Sequence, residues 1–253
     1  MGRIVGGFAT SHVLFPPHRV EAQAERVLAG MMEIRRRVRT LKPDVLVLAG
    51  SDHLNTFSLA MQVTLGVGIA DEYTTLGDAG APVNTFKGHR EFGEGLSRFA
   101  SRHDFELVQI EEVRPDHGMA IPKLIVDPHN QVPTVPVYIN ANMPVPPSPL
   151  RCYRLGGVLK AFVESARPKD ERVAVVGLGG LSHWLCLPSQ GKVAETFDRE
   201  FIDKLVTGRA EELARMDSDA LLAKGIGSSS IETQAIAGVQ ALQSFERIGR
   251  HRP

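Results

Sequence analysis

Short runs of apolar residues alternate with longer segments in which apolar residues recur every three or four positions. RIVGGFA (3–9) reads as a first strand. From His18 to Leu41 the apolar positions Val20, Ala24, Val27, Leu28, Met31, Ile34, Val38 and Leu41 keep helical spacing. DVLVLAG (44–50) follows Pro43 and is apolar almost throughout, as in a strand covered on both faces. QVTLGVG (62–68), FELVQI (105–110), TVPVYIN (134–140) and RVAVVGL (172–178) read as further strands. Helices are expected over about 89–103 and from Arg151 to Arg167, and the chain after the last strand reads as mostly helical. Its last helix is expected from about Ser230 to Ile248. Residues 71–88, rich in Gly, Asp and Pro, read as a loop, and NANMPVPPSP (140–149) as a packed connector. The alternation predicts an α/β fold: one catalytic domain over 1–253, with a mixed, largely parallel central sheet flanked by helices.

Composition narrows the setting. The chain has 253 residues, enough for a full core, and 29 basic residues balance 29 acidic ones. That balance argues against nucleic acid or an acidic membrane as partner. The basic run RRRVR (35–39) falls inside the first helical pattern and reads as a solvated face. No apolar run is long enough to span a membrane. MGRIVGGFATSH lacks the apolar core of a secretory signal, and Cys152 and Cys186 stand far apart. Both features predict a cytoplasmic protein with reduced thiols.

Chemistry enters with the histidines. Of nine, His12 follows the first strand, His53 the second, and His183 the strand that ends in GLGGLSH; His117 sits in the turn RPDHGM. Ligands of open α/β sheets bind beyond the carboxyl ends of the strands. Three strand-end histidines converge on one rim if their strands point the same way. Taken singly, each is better explained as a hydrogen-bonded loop residue than as a ligand. Ser11, Asp52, Asp116 and Ser182 adjoin the four and are expected to orient their imidazoles. A metal held by two histidines needs a third ligand, and Glu232 is the candidate. Ser229-x-x-Glu232 also fits a helix capping box, and spacing leaves the two readings open. Two imidazoles, one carboxylate and open positions suit non-haem Fe(II) oxygen chemistry, and also a zinc hydrolase.

The motifs TSH, PDVLVLAGSDH, PDHGMAIP and GLGGLSH, in this order and at these separations, resemble the class III extradiol ring-cleavage dioxygenases. These include the protocatechuate 4,5-dioxygenase β subunit and 2,3-dihydroxyphenylpropionate 1,2-dioxygenase. PVPVYIN and GSSSIE are also similar to family segments, so nearly the whole chain is covered. The resemblance implies Fe(II) ligated by His12, His53 and Glu232, His183 as acid/base, and His117 assisting on the substrate or oxygen side. It implies a catecholic substrate cleaved with O2 beside its two hydroxyls, to a muconic semialdehyde-type product. It also implies a homo-oligomer, or a complex with a small subunit. Asn55, Tyr73 and Trp184 are further candidates for contact with the ring. The competing readings are a zinc hydrolase on the same residues and a non-catalytic subunit.

Overall fold

The computed structural model describes residues 1–12, 19–184, 188 and 191–222. Its main sheet has six strands in the order β1-β8-β2-β7-β3-β6: β1 (Arg3–Thr10), β8 (Arg172–Leu178), β2 (Val45–Gly50), β7 (Thr134–Ile139), β3 (Leu65–Gly68) and β6 (Val108–Ile110). All neighbours are parallel except β3 and β7, so the sheet is mixed and largely parallel, as the alternation of elements predicts.

The unbroken apolar character of the central strands has a simple cause. Val45, Val47 and Ala49 of β2 point into one core, with Leu96, Leu155, Leu159 and Phe162. Leu46 and Leu48 point into the other, with Ile34, Val38 and Met119. The first core lies under α2 (Arg90–Ser101) and α4 (Pro149–Ala166), the second under α1 (Glu21–Leu41) and α3 (His117–Val126). A strand buried on both faces has no position for a polar residue.

Two elements depart from the sequence reading. The loop expected over 71–88 contains the hairpin β4 (Glu72–Thr74) and β5 (Thr85–Lys87), each with one buried residue, Tyr73 and Phe86. The turn expected at RPDHGM opens α3. Asp116 caps this helix by accepting a hydrogen bond from the Gly118 amide. α3 is buried along most of its length, so it has no polar stripe to mark it. Among the described residues, three helices follow β8: α5 (Glu195–Val206), α6 (Ala210–Ala214) and α7 (Ser218–Leu222). The helix expected from Ser230 lies outside the described residues, as does Cys186.

Candidate metal and catalytic site

β1, β8 and β2 are parallel neighbours, so the segments bearing His12, His183 and His53 leave the sheet at the same edge. The start of α3 brings His117 against His12 and His53. The imidazole centroids of His12, His53 and His117 lie 4.8 Å (12 to 53), 5.5 Å (12 to 117) and 4.2 Å (53 to 117) apart. Each of the three offers a ring nitrogen, and these nitrogens lie within 4.8 Å of one another. His12 is buried, and His53 and His117 are only slightly open, with side chains 19% and 13% exposed.

Two carboxylates set the rings. Both the amide and Nδ1 of His53 donate to Asp116 Oδ2, at 2.8 and 3.1 Å. Asp78 grips His117 in the same way: the amide donates to Oδ1 at 2.8 Å, and Nδ1 to Oδ2 at 2.5 Å. A ring whose Nδ1 proton is held by a carboxylate keeps its lone pair on Nε2, the form that binds a metal.

These pairings correct an expectation. Asp116 was expected to orient its neighbour His117, and Asp52 its neighbour His53. Instead Asp116 reaches across to His53. Asp52 turns under its own loop and accepts from the amides of Asn55, Thr56 and Phe57. His117 depends on Asp78, from the loop after β4, a residue no local motif marks. Asn140 and Asn142, just beyond β7, were likewise unmarked. Asn140 Oδ1 accepts from the Asp52 amide, and Asn142 Nδ2 donates to the Asp52 carbonyl, which ties the His53 loop to the next strand.

The two buried carboxylates are tuned apart. Burial pushes the Asp52 carboxyl up and the charge of Asp116 adds to this, against three backbone donors. Burial would also raise Asp116, but the hydrogen bonds from His53 and Asn55 outweigh it and hold that carboxyl well below the usual range.

Gly118 makes the crossed arrangement possible. A Cβ there would stand 2.8 Å from His53 Cε1 and 3.0 Å from Asp116 Oδ1. The glycine of PDHG therefore admits the neighbouring imidazole against the start of α3.

His183 is half-buried and its Nδ1 donates to the Leu181 carbonyl at 2.7 Å. A carbonyl can only accept, so in the neutral ring the lone pair sits on Nε2. Ser182 does not serve His183. Its amide and hydroxyl donate to Asp198 of α5, fixing the loop rather than the ring. Gly180 lies close under the ring, where a Cβ would be 3.1 Å from His183 Cε1. Glu232 lies outside the described residues.

Two of the ring-contact candidates have other duties. Tyr73 is buried against Phe86, with its hydroxyl accepting from the Ala70 amide. Asn55 donates through Nδ2 to Asp116.

The model of the catalytic LigB subunit of aromatic ring-opening dioxygenase matches residues 7–246. The chain belongs to this family. A 2,3-dihydroxyphenylpropionate/2,3-dihydroxicinnamic acid 1,2-dioxygenase of a Rhodococcus species is 29% identical over 195 residues, 77% of this chain and 59% of that one. The protein of that name from Rhodococcus jostii is 30% identical over 182 residues, 72% of this chain and 55% of that one. This LigB-family chain thus spans somewhat over half the length of the curated relatives it matches. Among solved structures, the uncharacterized protein JW3007 from Escherichia coli K12 has a similar fold. Its TM-score is 0.50 at 14% identity, over 85% of this chain and 80% of that one. Among the described residues, no helix is long and apolar enough to cross a membrane.

Proposed function

We propose that this LigB-family chain is an Fe(II)-dependent extradiol dioxygenase that opens the ring of a catecholic acid with O2. The observation that carries the reading is the cluster of His12, His53 and His117, two of them braced by carboxylates on the rim where His183 also leaves the sheet. Family membership and the relatives named as dioxygenases support it.

The donor set fits a borderline divalent metal: imidazoles, two of which (His53 and His117) have Nδ1 held by a carboxylate, the tautomer that carries its lone pair on Nε2. We assign His12, His53 and Glu232 as the ligands, with His117 beside them. A second reading makes His117 the third ligand, and its place in the three-histidine cluster favours that reading. A bound ferrous ion supplies the redox centre at which an electron-rich catecholate and O2 meet.

The rest is done by the chain. His183, with its lone pair on Nε2, takes a proton from a catechol hydroxyl and returns it as the ring opens. Asp78 keeps the Nδ1 proton of His117, which fixes that ring toward the substrate side. The buried walls behind His12 and Asp116 exclude water from the back of the site.

Anaerobic reconstitution with Fe(II) or Zn(II), followed by oxygen uptake on a panel of catechols bearing acidic side chains, tests the reading. Uptake with iron and a yellow ring-fission product supports it. Zinc retention with no uptake on any catechol defeats it and favours a hydrolase on the same residues. Metal content of Glu232→Ala and His117→Ala decides between the two ligand sets.

A further inference from the structure

The outer face of α1 has a pattern that its own fold does not use. Met31, Ile34 and Val38 bury one side of this helix against β1 and α3. About a quarter-turn away run Glu21, Glu25, Leu28, Met32, Arg35 and Arg39, spaced four, three, four, three and four apart. That is the seam spacing of paired helices. Leu28 and Met32 are 46% and 43% exposed.

The order along this seam is acid, acid, apolar, apolar, base, base. Reversed and set against itself about a point midway between Leu28 and Met32, it matches at every step. Glu21 meets Arg39 of the second copy, Glu25 meets Arg35, and Leu28 meets Met32. Such self-complementarity is what a twofold interface requires. Within one chain the same pattern is unfavourable, because Glu21/Glu25 and Arg35/Arg39 place like charges at i, i+4. The helix dipole accounts for an acid in the first turn and a base in the last. It accounts for neither Glu25 and Arg35 further in nor the exposed apolar pair between them. Among the described residues, Glu25, Arg35 and Arg39 form no ion pair, whereas Arg36 and Arg37, off the seam, are both held by Glu33.

We propose that α1 pairs antiparallel with α1 of a second copy of this chain. The seam extends over a helix of about 30 Å. α1 also packs on α3, which carries His117, so the interface buttresses the layer behind the site.

Sedimentation equilibrium of the full chain across the micromolar range tests this, with circular dichroism to verify helix content. A dimer is expected. Glu25→Arg and Arg35→Glu should each weaken it about tenfold or more, because the twofold repeats each change. The double variant Glu25→Arg/Arg35→Glu should restore it, since the swapped charges again face each other. Leu28→Asp should give a monomer with native helix content. A wild-type monomer overturns the proposal, whether the seam is then covered by another protein or by residues of the same chain. A dimer indifferent to the single reversals, or one that the double swap fails to restore, overturns it equally.

Discussion

At the scale of single residues, the site rests on proton placement. Asp116 fixes both the position and the tautomer of His53, so Asp116→Asn should lower metal affinity about 10- to 100-fold with the fold retained, as read by competitive chelator titration. The same carboxylate governs acid sensitivity. Its folded-state pKa is depressed, so its stabilising contribution is present above the unfolded value near pH 4. That contribution is lost as pH falls toward the folded value. Urea unfolding of the metal-free protein should therefore show wild type progressively losing its advantage over Asp116→Asn as pH falls below about 4. His183→Ala should keep its metal and lose about 10²- to 10⁴-fold in turnover. Unchanged turnover would remove His183 from the chemistry. The sequence displayed the four histidines because three follow strands and one stands in a glycine turn. It concealed their braces, because Asp78 and Asp116 act on partners 39 and 63 positions away.

At the scale of elements, α3 is the helix on which the site depends. Its first turn holds His117, Asp116 caps it, and its far end is secured by Lys123, whose ammonium lies 2.6 Å from Asp127 Oδ2. Both side chains are almost fully buried. Lys123→Met would leave the Asp127 carboxylate without its cation, and about 3 kcal/mol of stability should be lost, measured by thermal or urea unfolding. Gly118→Ala should act more locally. The new methyl would press on His53, so metal affinity should fall by more than stability does. Elements with a strong period were legible in sequence. α1 is described over Glu21–Leu41 against an expectation from His18, and β8 spans the expected 172–178. α3 was not legible, because Met119, Ala120, Ile121 and Pro122 are all buried and leave no polar stripe to set a period. The β4–β5 hairpin was lost for the opposite reason: each strand has three residues, too few for an alternation to register.

At the scale of the whole molecule, the sheet separates two cores, one built from residues between Val45 and Val175 and the other from residues between Phe8 and Leu178. Cys152 lies in the first of these, fully buried, and burial pushes its thiol up to about 12. It should resist iodoacetamide in the native protein and react only as the urea transition proceeds, which makes it a mass-spectrometric reporter of global opening. The general plan could be read from sequence, since alternating strands and helices admit few arrangements. The reversal of β3 against β7 could not, because a strand buried on both faces looks the same in either direction.

The sequence distance within each of the two aspartate–histidine pairs has a temporal consequence. Since the loop after β2 relies on a carboxylate that arrives with α3, and α3 in turn on one delivered by the hairpin region, no local fragment can preform the site. A nascent chain should therefore be blind to its metal until late in assembly, and loading should mark completion rather than initiate it.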